Sequence, residues 1–301
     1  MQRQRDITVI IPTTAEPGRL DSLEKAIQSA LSQENVTSIP LVYLNGSRHH
    51  SETYNLLSND PRIRFFYNKI PSLPNAIHEA RKCVDTSYFC FVDDDDLLIK
   101  NTLAARLDCF SFDNDIDAVI SNGLKQRQSQ PAKILHKDFL QYQENPLLSL
   151  MNRNWLASCG GLYKTSSIDE SYFDPQQKYY EWSYVAFKLA RTKKIRFLDL
   201  PTFVVNVTDD SLSQSESYVT ELPHFLERLL RDESPPVNIL AALKSRAARA
   251  NNYVANYYLD RRMFGKALYY HLRCTRILPN GIFYQTWLLR CFKKYFKNSA
   301  P

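Results

Sequence analysis

FCFVDDDDLL, residues 89–98, runs an aromatic, β-branched stretch straight into four consecutive carboxylates, Asp93, Asp94, Asp95 and Asp96. The apolar part reads as a buried strand and the acids as its end. Like charges set this closely repel, so a chain that places them at the mouth of its core needs a partner for them. Mg²⁺ and Mn²⁺ favour hard oxygen ligands, and Mg²⁺ usually takes one or two carboxylates together with substrate phosphates. Alternate residues at a strand end point to opposite faces, which places Asp93 and Asp95 on one side if strand geometry persists through them; a turn there would change that. Asp96 fits two roles, a further metal ligand or the N-cap of the next helix, because acids stabilise helix N-termini.

Working outward, residues 7–12, 39–44, 62–68, 88–93 and 117–123 read as strands, and 20–31, 74–84 and 101–110 as helices. Strands alternating with helices predict βαβ units and a mostly parallel sheet. Ligands in such sheets sit outside the carboxyl ends of the strands. Pro12-Thr13-Thr14, Asn45-Gly46 and the aspartate run all fall at such ends. The chain has seven glycines and neither a G-x-G-x-x-G nor a P-loop. A nucleotide bound here therefore needs another device to neutralise phosphate, and a carboxylate-held metal supplies one. Further on, 155–164 carries Gly160-Gly161, 179–191 is an aromatic-rich helix, and 195–207 is a strand. Residues 232–236 mark a boundary, followed by helical patterns at 239–258, 266–277 and 282–296.

The 301 residues suffice for one large domain, or for one domain with an appendage, and the 44% apolar content is that of a globular protein. No stretch approaches the roughly 20 apolar residues of a spanning helix. MQRQRDITVIIP lacks the long apolar region of a signal peptide and reads as a strand. The six cysteines are scattered without a C-x-x-C pair, which predicts reduced thiols, no zinc site and a cytoplasmic location. Residues 236–301 hold 12 Lys/Arg against one acid, whereas the remainder holds 26 against 31. That asymmetry predicts a catalytic domain over 1–235 and a basic helical extension over 236–301.

VIIPTT, VYLNGS and FVDDDDLL, in this order, resemble the nucleotide-binding half of family 2 glycosyltransferases of the GT-A fold. GGLYKTSSIDESYFDPQQKYYEWSYVAFKLA is similar to the acceptor half, and NVTDDSLSQS (206–215) to the segment that closes it. The resemblance spans roughly residues 5–215. It implies a Rossmann-like α/β fold with a donor half at about 1–123 and an acceptor half at about 124–235. It also implies an inverting transfer of sugar from a nucleotide sugar, with UDP as the expected carrier. The acceptor would be a hydroxyl of a glycan or lipid-linked glycan, in cell-surface polysaccharide synthesis.

Residue by residue, the resemblance makes Asp93-x-Asp95 the Asp-x-Asp motif and divalent-metal site (Mn²⁺ or Mg²⁺), with Asp96 a competitor. Thr13, Thr14, Glu16, Asn45 and Asp94 fall to the donor. Asn45 stands where an Asp usually accepts the uracil N–H, which its carbonyl oxygen also does. Glu181 is the expected general base, its pKa raised by the flanking Tyr179, Tyr180 and Trp182. The chain departs from the family in three places: Trp182 replaces an Asp that commonly serves as base, Pro74-Asn75 replaces an Arg-Asn, and Thr208 replaces a metal-binding His. Trp155 and Trp182 are the aromatics expected at the acceptor, while Tyr163, Tyr172 and Phe173 read as core.

The tail YVANYYLDRRMFGKALYYHLRCTRILPN resembles one helical hairpin of the tetratricopeptide type, which does not bury its own apolar face. IFYQTWLLRCFKKYFKN (282–298) is amphipathic and basic. Docking combined with an anionic membrane surface is the preferred reading, at the inner face of the membrane; a solvated structural face is the alternative. Nucleic acid is not expected, and a homo-oligomer through these helices is a further option. The competing functional readings are a nucleotidyltransferase, which would carry a Gly-rich loop after its first strand, and a non-catalytic scaffold.

Overall fold

The computed structural model describes residues 5–113, 115–127, 130–207 and 215–278, together with 287 and 291. The chain divides into two compact units, Met1–Asp209 and Asp210–Pro301.

In the first unit β1 (Asp6–Thr13) is buried from Ile7 onward, as a strand covered on both faces must be. α1 (Leu20–Leu31) buries Leu23, Ala26, Ile27 and Ala30, the i, i+3, i+4, i+7 stripe of a helix lying on a sheet. β2 (Thr37–Asn45), α2 (Ser51–Ser58) and β3 (Arg64–Asn68) follow. α3 (Leu73–Lys82) begins at Ser72, whose hydroxyl accepts from the Asn75 amide, with Pro74 in the first turn. β4 (Tyr88–Phe91) then returns to the other side of β1, leaving β1 flanked by β2 and β4, both parallel to it. The chain thus reverses its direction of travel across the sheet at β1 and β4, a topological switch point whose crevice opens at Thr13 and Asp93.

β5 (Leu97–Leu98), α4 (Thr102–Phe112), β6 (Ala118–Arg127), β7 (Lys133–Ile134), α5 (Pro146–Leu150), β8 (Gly161–Lys164), α6 (Glu181–Thr192) and β9 (Ile195–Val207) complete the unit. The strand order is β3-β2-β1-β4-β8-β6-β9-β5, with β7 on β6. β8 runs antiparallel to both β4 and β6, and β5 antiparallel to β9. β6 shifts register against β9 between Ser121 and Leu124. Gly123 lies in that irregularity because a Cβ there would stand 2.3 Å from the Phe203 ring. On α4, the wholly buried Arg106 donates to the Cys159 carbonyl (2.9 Å) and to the Thr202 hydroxyl. It thereby ties the helix to the turn at 158–160, which borders the aspartates.

In the second unit α7 (Glu216–Asp232), α8 (Val237–Asp260) and α9 (Phe264–Ile277) pack around Val254, Ala255, Tyr258, Leu259, Tyr270 and Trp287. The Tyr258 and Tyr270 rings stack at 5.8 Å, the Tyr258 hydroxyl donates to Glu216 (2.8 Å), and Asn251 donates to Glu227 (2.9 Å). The division between units therefore precedes the compositional boundary at 232–236. That Ser-Pro stretch only turns the chain between α7 and α8, because α7 buries its apolar face with α8. The helical pattern at 282–296 lies outside the described residues apart from 287 and 291.

Candidate functional site

β4 ends at Phe91, and the Val92 amide still donates to Ile10 O of β1 (2.9 Å). From Asp93 the backbone turns, with the Asp96 amide on Asp93 O (3.0 Å). A turn therefore replaces the strand geometry expected through Asp95, yet the exposure still alternates. Asp94 and Asp96 are each 3% exposed, while Asp93 and Asp95 are half-buried.

Asp94 faces back into the first strand. The Thr13 hydroxyl donates to its Oδ2 (2.6 Å) and itself accepts from the Ala15 amide (2.9 Å), which the left-handed Ala15 (φ 47°) turns inward. Arg19 donates to Asp94 Oδ1, and its other terminal nitrogen lies 3.5 Å from Asp95 Oδ2. The Thr13 and Asp94 side chains are thus buried and bonded to each other at the end of β1.

Asp96 is corrected as well. It caps no helix, because Leu97 and Leu98 first pair with β9 and α4 starts only at Thr102, after the left-handed Asn101. Asp96 Oδ1 instead accepts from the Asn206 amide (2.9 Å), and its Oδ2 from the Cys159 thiol (3.5 Å). Asn206 also donates from its side chain to Asp95 O (2.6 Å), so the end of β9 latches the aspartate turn.

The remaining predicted residues line the same strand ends. The Thr14 hydroxyl donates to Glu16 (3.0 Å), and Arg48 pairs with Glu16 (2.9 Å). Asn45 is 4% exposed and gives its amide nitrogen to Thr13 O (2.9 Å); its carbonyl oxygen is the atom left to accept from a ligand. Gly46 follows at φ 80°, where a Cβ would meet Pro71 at 3.0 Å, so the Asn-Gly pair is a required turn as well as a site edge. Thr208 lies outside the described residues.

Glu181 opens α6. The Tyr179 amide donates to Glu181 Oε1 (2.9 Å), and Gln177 holds Tyr179 O (2.9 Å). Tyr179 and Tyr180 are both left-handed (φ 59° and 54°), a strain that non-glycine residues bear only where the surroundings enforce it. Pro74, Ile77, Phe173, Asp174 and Trp182 wall a small pocket that holds Glu181. Trp182 packs its ring on Phe91 at 5.0 Å. Trp155 is corrected to core: it is 1% exposed and bonded to Pro146 O (2.9 Å).

Charge joins these pieces. Burial pushes the Asp93 carboxyl up to about 7, assisted by the charges of Asp95, Asp94 and Glu181 and opposed by a hydrogen bond from Ser158. The Glu181 charge therefore reaches Asp93, and the residue expected to act as base shares a field with the aspartate turn. Burial and the Asp93 charge raise Asp96 to about 8. Burial also raises Asp94, against its bonds from Thr13 and Arg19. Among the described residues no three His, Cys, Asp or Glu groups form a metal cage. Two half-buried, mutually repelling carboxylates fit instead a cation that completes its shell with donor oxygens and water.

These shifts carry a sign. A carboxyl whose folded pKa exceeds its unfolded value of about 3.9 contributes stability that is full below that value and is lost as pH rises through the folded pKa. For Asp93 and Asp96 the loss runs from about pH 4 to about pH 8. The melting temperature of the unliganded protein is expected to drop by several degrees over that interval, and Asp96→Asn to flatten the decline. Calorimetry at constant ionic strength reads this, and a melting temperature that rises with pH would exclude it.

Residues 8–174, more than half of the chain, match the family model for glycosyl transferase family 2. The chain belongs to that family. This glycosyltransferase is 24% identical over 241 residues to an uncharacterized glycosyltransferase of Rickettsia typhi, covering 75% of this chain and 73% of that one. A crystal structure of S. aureus TarS in complex with UDP-GlcNAc shares its fold with TM-score 0.63 at 14% identity, covering 90% of this chain and 82% of that one. A TarS complex with UDP gives 0.51 at 13% identity, covering 90% and 91%.

Sequence reading missed Arg19, Arg48, Ser158, Cys159 and Asn206. Asn206 had a signal, standing at the head of NVTDDSLSQS. Arg19 had none, being 75 residues from the carboxylate it pairs with.

Proposed function

We propose that this glycosyltransferase moves a sugar from a UDP-sugar to a hydroxyl of a glycan or lipid-linked glycan, with inversion at the anomeric carbon. The observation that carries the reading is the aspartate turn at the switch point between β1 and β4, within the field of Glu181. The TarS complexes with UDP-GlcNAc and UDP support the choice of uridine diphosphate. In this reading the uracil faces Asn45 and the diphosphate faces Asp93 and Asp95, which would hold a divalent cation. The cation's contribution is to offset charge on the leaving diphosphate. Glu181 accepts the acceptor hydroxyl's proton as that oxygen attacks the anomeric carbon and the bond to the diphosphate breaks.

No helix among the described residues is long and apolar enough to cross a membrane. Phe264, Leu268 and Leu272 of α9 are nonetheless about half exposed beside Arg261 and Arg262. That pairing suits an anionic membrane face where a lipid-linked acceptor would be presented.

The test is a screen of nucleotide sugars for UDP release and thermal stabilisation with Mn²⁺. One UDP-sugar is expected to be hydrolysed slowly and to raise the melting temperature. Stabilisation by nucleoside triphosphates with pyrophosphate release would point to nucleotidyl transfer instead.

A further inference from the structure

Arg19 ends the short 3-10 turn Pro17–Arg19 that follows β1. Its backbone is pinned, with its amide on Glu16 O (2.8 Å) and its carbonyl accepting from Ser22 (2.9 Å). One terminal nitrogen is bound to Asp94 Oδ1, and Asp94 in turn is locked by Thr13 at 2.6 Å. The second terminal nitrogen stands 3.5 Å from Asp95, in a pair whose side chains are 45% and 34% exposed. An exposed pair at this distance is weak and readily exchanged, whereas the bond to the 4% exposed Asp94 side chain is the fixed one. A guanidinium carries five N–H donors in a rigid fork. With one terminal nitrogen anchored on a buried carboxylate, the remaining donors have only the loose Asp95 contact to give up.

We propose that Arg19 is the diphosphate receptor of the donor site: held by Asp94, it exchanges its loose contact with Asp95 for bidentate bonds to the donor's phosphates. This rests on the donor reading above. Among the described residues Arg19 makes the ion pairs to the aspartate turn, while Arg48, 63% exposed, is engaged with Glu16. Arg19 thereby brings positive charge to the point where a diphosphate would meet Asp94 and Asp95. Arg is suited to this where Lys is not, because its planar fork serves a carboxylate and a phosphate at once. The arrangement also makes selection depend on phosphate number, since the uracil contacts at Asn45 are shared by uridine, UMP and UDP.

The experiment is calorimetric titration of uridine, UMP and UDP, with Mn²⁺, into the full chain and its variants. Wild type is expected to prefer UDP to uridine strongly. Arg19→Gln is expected to lose about tenfold or more in UDP affinity, or about 1.4 kcal/mol, with uridine affinity retained, and Arg19→Lys to fall between. The double variant Arg19→Gln/Asp94→Asn removes the buried carboxylate that the single change strands, and is expected to show the same selective loss with the fold intact. Unchanged UDP binding, or equal weakening of uridine and UDP in both variants, would overturn the assignment. Failure of wild type to bind UDP at all would overturn the donor reading itself.

Discussion

Replacing Glu181 by Gln is expected to lower kcat for sugar transfer by about 10²–10⁴-fold while leaving UDP affinity at the wild-type value, the range general-base catalysis commonly spans. The substitution is chosen because Gln retains a carbonyl oxygen for the Tyr179 amide, which donates to Glu181 Oε1 at 2.9 Å. The left-handed Tyr179 and Tyr180 and the Gln177 bond behind them therefore have no reason to rearrange. What is removed is the capacity to take a proton. A loss confined to kcat, with the acidic limb of the pH–rate profile altered, identifies the base; a rise in KM alone assigns Glu181 to acceptor binding. Activity within threefold of wild type would remove Glu181 from the mechanism and turn attention to Asp174, which walls the same pocket.

Asp95→Asn is expected to cost kcat/KM about 10²-fold or more, because charge stabilisation by a bound cation is worth several kcal/mol at the transition state. The loss should be accompanied by weaker Mn²⁺ binding measured by electron paramagnetic resonance without donor present. Asp95 is singled out by its environment. Its carboxylate is 34% exposed and only loosely met by Arg19 at 3.5 Å, and its backbone is latched by Asn206 at 2.6 Å. The side chain is thus free to meet a ligand while its main chain is held. Folding should be nearly unaffected, since no buried group loses a partner. Unaltered Mn²⁺ binding together with wild-type turnover would shift the cation to Asp93 alone or remove it from the reaction.

Most strands and helices through 123, all but α2 and the two-residue β5, were legible because each is a local event. Ile7, Val9 and Ile11 are buried for the same β-branched, apolar character that marks them in the chain, and the Leu23–Ile27–Ala30 stripe has helical spacing before any contact forms. The three polar strand ends followed from that order, since a parallel sheet gathers its carboxyl ends on one edge. Less legible were α2 (Ser51–Ser58) and α7 (Glu216–Asp232), which the reading passed over. α2 is only weakly amphipathic, whereas α7 carries a marked apolar stripe in its own sequence.

Residues 89–98 by themselves determine that a buried strand ends in four carboxylates and that such a cluster needs a cation or a proton. They do not determine which aspartate does what. That division comes from groups 81, 75, 63 and 110 residues away: Thr13 and Arg19 on Asp94, Cys159 and the Asn206 amide on Asp96. Chemically identical side chains come to differ because burial makes an unpaired carboxylate costly: Asp94 and Asp96 are bonded most fully, Asp93 is met by Ser158, and Asp95 only loosely by Arg19. Only the folded sheet decides which partner each of them meets.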